Sequence, residues 1–157
     1  MSYERARDYL VSHSMDDRII LFDVSSATVA LAAAALGCEE SHIAKTLSFD
    51  VDGKTVLIVA AGDMKVDNRK FKDYFHTKAK MLSHDEAEER TGHAVGGVCP
   101  FGVRDGVEIY LDESLRRFET VYPAAGTAAS AVRLSPDELA SILPSASWID
   151  VTKASLQ

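Results

Sequence analysis

Residues 43–60 constrain the fold of this chain more than any other stretch. Two runs rich in apolar and β-branched residues, 43–51 and 54–60, flank the dipeptide Asp52-Gly53. Asp-Gly between two such runs is a strong signal for a hairpin with a two-residue turn. The sequence therefore predicts two long strands that pair antiparallel, with the rest of the chain built around the resulting sheet.

Lys45 is the exception within the first of these strands. Side chains alternate between the two faces of a strand, so Lys45 shares its face with Leu47 and Phe49. An ammonium group among large apolar side chains is costly unless an anion meets it. Either Lys45 extends into solvent from the end of the strand, or a negatively charged group binds to it.

The remaining patterns predict a mixed α/β (α+β) domain. Its sheet is expected to be curved, largely antiparallel and barrel-like, and flanked by helices, because hairpin signals outnumber crossover helices. The cap signals are Ser25 and Ser26, Asp67, Ser83 and Ser135, with Gly37 as a helix stop. Helices are predicted at 2–12, 27–36 and 68–75, and from 83 and 135, and further strands at 19–24, 79–82, 107–111, 120–122 and 131–134.

Length and charge limit the classes of function. The 157 residues fit a single domain, 1–157, and a net charge of -7 argues against a dedicated nucleic-acid binder. However, residues 65–80 carry six basic and two acidic side chains, a net +4. Such asymmetry is typical of a protein that contacts one short phosphate segment, and it predicts contacts from Lys65, Arg69 and Lys70. A solvated helix face explains the same charges.

The chain shows no sign of export or of membrane insertion. The N-terminal residues are charged and lack an apolar signal core, and the longest apolar run is too short to cross a bilayer. Two cysteines are too few for a disulfide framework. We therefore expect a cytoplasmic protein that has no membrane or DNA partner.

The segment 91–102 carries the clearest chemical signal. Gly96 and Gly97 lack β-carbons, so their backbone N–H groups can approach a ligand closely, and Pro100 fixes the exit of the turn. Exposed donors of this kind polarise a carbonyl or stabilise an oxyanion. A bulge in a curved sheet would also explain the glycines. A second small-residue stretch, 123–130, can line a pocket, and there only Thr127 and Ser130 have side chains that orient a water or an amine.

Four motifs occur in a specific order. Lys45-Thr46-Leu47 lies in a strand, Gly62-Asp63 opens a loop that ends in Val66-Asp67, Gly96 to Pro100 forms a turn, and a late Ala-Gly turn at Gly126 precedes Leu-Ser-Pro. From about residue 19 to residue 143 the chain resembles the YbaK-type aminoacyl-tRNA editing domain. That domain is found as an insertion in bacterial prolyl-tRNA synthetases and as free-standing relatives.

The resemblance implies hydrolysis of the ester that joins a wrong amino acid to transfer RNA. Lys45 would meet the phosphate backbone at the acceptor end, and backbone amides of Gly96 and Gly97 would polarise the scissile carbonyl. Water, or a hydroxyl or thiol of the substrate, would be the nucleophile, with neither metal nor cofactor. The substrate-binding residues implied are Phe22, Thr46, Asp63, Pro100, Phe101, Gly126, Thr127 and Ser130.

The amino acid removed is not determined by the resemblance. Some relatives have polar or acidic residues near the late glycine, where this chain has Ala124, Ala125 and Ala131, and Phe22 replaces a tyrosine of cysteine-specific relatives. A pocket walled by alanines and Phe22 would select by size. It favours a small side chain on mischarged prolyl-tRNA or a related tRNA, and a synthetase is a possible partner.

Several alternatives remain open. Cys99 could be a nucleophile, although lone cysteines are usually packed as small hydrophobic residues. A metal site is another alternative, but the four histidines that could contribute to it lack the spacing of known metal-binding motifs: His42, His76, His84 and His93. The domain could also bind acceptor ends or a synthetase without cleavage, or it could hydrolyse free aminoacyl esters.

Overall fold

The structure is a computed structural model that describes residues 2–24, 28–94 and 96–155. Its helices are α1 (Ser2–Ser12), α2 (Val29–Leu36), α3 (Asn68–Phe75), α4 (His84–Thr91) and α5 (Pro136–Ser141). Its strands are β1 (Ile19–Leu21), β2 (Ile43–Val51), β3 (Lys54–Ala61), β4 (Met64–Val66), β5 (Glu108–Asp112), β6 (Tyr122–Pro123), β7 (Ser130–Val132), β8 (Ser147–Ile149) and β9 (Thr152–Ala154). Among the described residues, no helix has both the length and the apolar character needed to cross a membrane.

The predicted hairpin lies at the centre of the main sheet. Strands β2 and β3 pair antiparallel along their whole length, from Ala44 opposite Ala61 to Val51 opposite Lys54. Asp52 and Gly53 connect them with φ angles of 51° and 87°. Two consecutive residues with positive φ match the right-handed twist of the strands, which is why Asp-Gly is favoured here. The hairpin prediction is confirmed.

The fold class is also confirmed: the domain is mixed α/β, with a strongly curled half-barrel sheet and, among the described residues, five α-helices. The five-stranded sheet has the order β6-β2-β3-β5-β8. Its three other pairings are parallel, because long segments with helices return the chain to the sheet in the same direction. Two small antiparallel pairs, β1-β7 and β4-β9, complete the structure. The whole is thus more evenly mixed than the hairpin signals predict.

The two faces of the hairpin pack into different clusters. One face, with Val59 and Ala61, packs against α1 and α5 in the larger core. The other face packs Phe49 and Ile58 against Phe71 of α3, with Leu47 alongside. Leu47 and Phe49 therefore share a face, as the period of two predicts.

Cap residues begin the helices where the sequence predicts. The Asp67 side chain accepts hydrogen bonds from the first backbone N–H groups of α3, and Ser83 and Ser135 each form a complete capping box. Gly37 ends α2 in the left-handed conformation. Thr28 caps α2 at its start, whereas the predicted caps Ser25 and Ser26 lie outside the described residues.

Some short elements differ from expectation. The predicted strand at 79–82 is reduced to an isolated antiparallel bridge, Phe49–Met81, which two backbone hydrogen bonds to β2 support before Ser83 begins α4. Strands β4, β8 and β9 were not predicted. Each has three residues, which is too short for an alternating pattern to be recognised.

Candidate active site

A cleft of about 510 Å³ lies beside β2. Three groups of residues line it: one stretch of β2, the faces of two helices with the segment before α4, and the turns and strands after α4. They are Ile43, Ala44, Lys45, Thr46, Leu47 and Ser48; Thr28, Val29, Ala32, Met81, Leu82, His84 and Ala87; and Gly96, Val98, Tyr122, Ala124, Ser130 and Ala131.

The cleft exists because the outer edge of β2 is not covered along its length. Strand β6 pairs with Ile43 and Ala44, and the segment before α4 joins at Phe49. Between these points, no described strand pairs with residues 45–47 on that side. Ser48 O accepts from Leu82 N and Asp50 N donates to Lys80 O, so even-numbered residues direct their backbone groups outward. By the same alternation, the N–H and C=O of Thr46 face the cleft.

The Thr46 side chain is also unusual. Its Oγ1 is buried and has no hydrogen-bond partner within the described part of the chain. Leaving a buried hydroxyl unpaired costs about 1–3 kcal/mol. Such a cost is tolerated most often where a residue serves a binding site, because the lost stability is offset there by function.

The Lys45 ammonium is half-buried and turns toward the end of β3. It donates hydrogen bonds to the carbonyl oxygens of Gly62, at 3.4 Å, and Met64. Burial lowers the pKa of Lys45, and the nearby Asp63 carboxylate acts in the opposite direction. Lys45 therefore does not extend freely into solvent, and it forms no ion pair with any residue that the structure describes. It rests on neutral acceptors at the border of the cleft.

Asp63 lies in the turn between β3 and β4, where Arg117 binds it. The Arg117 Nη2 is 2.6 Å from Asp63 Oδ1, and its Nη1 is 3.1 Å from Oδ2. The hydrogen bonds from Arg117 hold the pKa of Asp63 below its ordinary value. Asp63, which the resemblance implies as substrate-binding, thus contacts a partner 54 residues away in the chain.

The two glycine turns pack directly against each other. Gly96 lines the cleft with a φ of 83°. A β-carbon on Gly97 would lie 2.3 Å from the carbonyl carbon of Gly126 and 2.4 Å from the backbone nitrogen of Thr127. Only glycine permits this approach. The structure therefore brings together Lys45, Thr46 and Gly96 on the cleft, with Gly97 and Gly126 immediately behind.

His93 supports the glycine turn from inside the protein. Its Nε2 lies 2.6 Å from the carbonyl oxygen of Phe101 and its Nδ1 lies 2.9 Å from Ser2 Oγ. Because a carbonyl only accepts, Nε2 carries the proton and Nδ1 accepts from the serine hydroxyl. Burial lowers the pKa of His93, which favours this neutral form. The ring thus joins both ends of the segment that carries Gly96 and Gly97.

Thr127 and Ser130 hold the second small-residue loop together. The Ser130 hydroxyl accepts from Ala125 N and donates to Thr127 O, at 3.0 and 3.1 Å. The Thr127 hydroxyl accepts from Ala129 N. Ser130 lines the cleft, but its donor is already used by the loop. Ser130 therefore has a structural role in the wall of the cleft, and its hydroxyl is not free to orient a water molecule as predicted.

The apolar wall of the cleft combines small side chains with larger ones. Five alanines contribute to it, from two helices and three strand or loop segments: Ala32, Ala44, Ala87, Ala124 and Ala131. Phe22, Pro100 and Phe101 are not among the described lining residues. Phe101 is fully buried in the core behind the turn, and Phe22 donates its backbone N–H to Ala129 O.

Cys99 has the environment of a structural cysteine. It is fully buried in the larger core, and this burial raises the pKa of its thiol to about 12. At neutral pH the thiolate, which is the nucleophilic form, is absent. Its Sγ lies 3.6 Å from His93 Nε2, so the pair packs beneath the turn rather than in the cleft.

The predicted basic residues lie on or next to α3. Lys65 and Arg69 are exposed, whereas Lys70 binds Asp150 at 3.0 Å and the carbonyl of Thr152 at 2.9 Å. The structure adds Lys153 of β9, which lies directly opposite Lys65 across an antiparallel pair. Like charges at such positions repel, which favours an external anion between them.

Candidate site residues that no sequence motif indicates come from distant parts of the chain. No local sequence pattern marks these residues, because each gains its position only from pairing or packing across the sheet. They are Arg117, Tyr122, Val98 and Lys153. Within the described residues, no three His, Cys, Asp or Glu side chains are grouped so that they could hold a metal ion.

The chain is similar to known proteins in both sequence and structure. The model of the aminoacyl-tRNA editing domain matches residues 24–142. An uncharacterized protein of Bacillus subtilis (strain 168), YwhH, is 48% identical over 154 residues, which is 98% of both chains. EbsC of Enterococcus faecalis, which bears the name Cys-tRNA(Pro)/Cys-tRNA(Cys) deacylase, is 31% identical over 70% of this chain and 68% of its own.

A solved structure shows the same fold. It is described as that of a trans-editing enzyme for prolyl tRNA synthetase, and it superposes with a TM-score of 0.87 over 98% of both chains, at 28% identity.

Proposed function

Because the chain belongs to the aminoacyl-tRNA editing domain family, we propose that it is a trans-editing aminoacyl-tRNA deacylase. It hydrolyses the ester between a wrongly attached amino acid and the terminal ribose of a transfer RNA. The bond from the acyl carbon to the ribose oxygen breaks, and the free amino acid and the uncharged tRNA are released.

One observation carries this proposal: Lys45 and the Gly96 turn lie on the same cleft. In the proposed complex the Lys45 ammonium binds a phosphate of the acceptor end. The backbone N–H of Gly96 donates to the ester carbonyl oxygen and stabilises the charge that develops on it. The predicted second donor, the N–H of Gly97, is already used by the carbonyl of Ala94 at 3.0 Å, so Gly97 shapes the turn instead. Such donors are effective because the fold holds them in place before the substrate arrives.

The cleft offers no side chain with the character of an activated nucleophile among the described residues. The attacking group is therefore a water molecule or a hydroxyl or thiol of the substrate itself. Thr46 is well placed to bind the substrate, because its backbone groups face the cleft and its hydroxyl has no partner in the part of the chain that the structure describes.

The substrate class follows from the wall of the cleft. A small aminoacyl side chain is proposed to fit against the alanines, while the bulkier side chains of the same wall, such as Leu47 and Tyr122, exclude larger ones by size. The relatives named for Cys-tRNA(Pro) and for prolyl tRNA synthetase support a mischarged prolyl-specific tRNA as the RNA part. A synthetase that delivers this tRNA is the fitting partner.

A panel of mischarged tRNAs tests the function. Wild-type protein is expected to release small amino acids, such as alanine or serine, faster than large ones. Lys45→Ala is expected to lower kcat/KM roughly 10–100-fold, the value of one hydrogen bond to a charged group. If wild type binds these tRNAs without releasing any amino acid, the domain is a binding module instead. Equal hydrolysis of free aminoacyl esters would indicate a small-molecule hydrolase.

Contact with tRNA phosphates is proposed for Lys65, Arg69, Lys70 and Lys153. Charge reversal at Lys65 and Lys153 together should weaken tRNA binding and reduce the slope of log affinity against log salt by about 1–2. Reversal at Lys54, which is exposed and pairs with Glu108, serves as the matched control. An unaltered slope in the double variant would exclude this surface.

We also propose that the reaction needs no metal ion. The lack of a grouped set of metal-binding side chains among the described residues supports this. Turnover should then be the same with and without a chelator, provided that the tRNA is kept folded by a monovalent salt.

A further inference from the structure

We propose that Arg117 is a positioning residue for Lys45, because it occupies the Asp63 carboxylate and so leaves the Lys45 ammonium available to the substrate. This inference rests on the proposed function and deepens it. It adds one residue to the proposed site and gives Asp63 a role other than direct substrate binding.

The first step is the geometry around the ammonium. Lys45 donates to the carbonyls of Gly62 and Met64, the two residues that flank Asp63. An ammonium has three N–H donors, so two are used. Within the described residues, the third has no protein acceptor and can bind an incoming phosphate. The Asp63 turn therefore orients Lys45 without neutralising it.

The second step concerns what holds Asp63. Arg117 binds both of its carboxylate oxygens, and its Nε donates to the carbonyl of Ser114 at 2.9 Å. A guanidinium with all three of its nitrogens engaged has a fixed orientation. Ser114 in turn accepts the backbone N–H of Ala61, the last residue of β3, at 3.1 Å. The segment that carries Arg117 thus fixes both the end of β3 and the turn that follows.

The third step is competition between two cations for one carboxylate. Asp63 is close enough to Lys45 to affect it electrostatically, and it favours the charged form of the amine. Without Arg117, the strongest available partner for Asp63 is Lys45. The resulting ion pair would draw the Lys45 ammonium away from the carbonyls of Gly62 and Met64. Its charge would then be balanced by Asp63, so it would attract a phosphate less strongly. Asp63 would then inhibit the site that it otherwise supports.

The exposure of the pair separates this role from simple stabilisation. The side chains of Arg117 and Asp63 are 43% and 40% exposed, and ion pairs of that kind add little to stability. A large change in activity with little change in thermal stability would therefore mark a positioning effect.

Single-turnover deacylation of a mischarged tRNA gives the first test, with Arg117→Gln, Asp63→Asn and the double variant. Arg117→Gln should reduce turnover about tenfold, within the usual range of coupling between contacting residues. The double variant should regain most of the loss, because no carboxylate remains to capture Lys45. Arg116→Gln, from the same segment but paired with Glu113, is the matched control and should retain full activity.

A second readout does not depend on catalysis. Acetic anhydride at limiting concentration labels lysine amines, and mass spectrometry gives the rate at Lys45 relative to exposed Lys72 in the same sample. Arg117→Gln should slow labelling of Lys45 severalfold, because ion pairing keeps the amine protonated, and the double variant should restore it. This measurement still decides the inference if the wild-type protein has no deacylase activity.

Two results would contradict the proposed role of Arg117. Unchanged turnover and labelling in Arg117→Gln would overturn the inference. The inference would also be overturned if the double variant were as impaired as Arg117→Gln and had the same melting temperature. Removal of the Asp63 charge would then have failed to restore activity.

Discussion

Close contacts between backbone atoms determine which residue can stand at some positions of this protein. Gly97 is the clearest example, because the backbone of Gly126 occupies the position where a β-carbon would lie. The contact presses two turns together and aligns the backbone of Gly96 toward the cleft. Misplacing such donors by about 1 Å can reduce catalysis roughly 100-fold.

We predict that Gly97→Ala reduces kcat by about that factor, because the new methyl group must push the two turns apart. Gly106→Ala is the control: Gly106 has a positive φ of 88° and open space around it, whereas Gly97 is limited by the neighbouring backbone. It should lose some stability to backbone strain yet keep its turnover. Steady-state deacylation and thermal melting of both variants check this, and equal losses of turnover would contradict it.

At the scale of elements, the last helix shows how one residue can serve a cap and a distant contact together. Glu138 completes the capping box with Ser135 and binds Arg18 through both carboxylate oxygens, at 3.0 and 2.7 Å. The Arg18 hydrogen bond is the main reason that the pKa of Glu138 falls from 4.5 to about 2. The pair ties α5 to the turn before β1.

This contact predicts a pH dependence of stability. A carboxylate with a lowered pKa contributes its full stability above about 4.5, and the contribution is lost as the pH falls toward about 2. Glu138→Gln keeps the cap but removes the charge. Its melting temperature should therefore lie below that of wild type at neutral pH, and the difference should shrink across that acidic range. Melting curves against pH check this, and a constant difference would exclude the mechanism.

At the scale of the whole molecule, one buried carboxylate joins the C-terminal strands to the main sheet. Asp112 is fully buried at the end of β5 and accepts hydrogen bonds from Ser114 N, Val151 N and Thr152 Oγ1, at 3.0, 3.0 and 2.7 Å. It therefore connects the segment of Arg117 to β9, and β9 in turn covers β4. Burial of this carboxyl group is tolerable because three donors form hydrogen bonds to it.

We predict that Asp112→Ala lowers the free energy of unfolding by roughly 3 kcal/mol or more, since three buried donors lose their acceptor. Thr152→Val removes one of the three bonds and should cost only about 1 kcal/mol. Urea denaturation of both variants measures the difference. Similar small losses in the two would mean that water or another group takes over the role of Asp112.

The sequence by itself was sufficient for the local features. Hairpin, helix caps and glycine turns depend on residues within a few positions of each other, so Asp52-Gly53, Asp67 and Ser135 could be recognised directly. The same holds for Lys45, because one cation on an apolar strand face is visible in the pattern of alternation. The order of the motifs was enough to indicate the family.

The tertiary structure decided the features that arise where segments distant in the chain pack against each other. The parallel neighbours of the hairpin and the open edge of β2 arise from how later segments meet the sheet, which no local pattern encodes. Arg117 and Lys153 reach their partners in the same way, and Ser130 and Phe101 were drawn away from solvent by packing. The physical reason is that hydrogen bonds, ion pairs and burial act between neighbours in space, whereas sequence patterns report only neighbours along the chain.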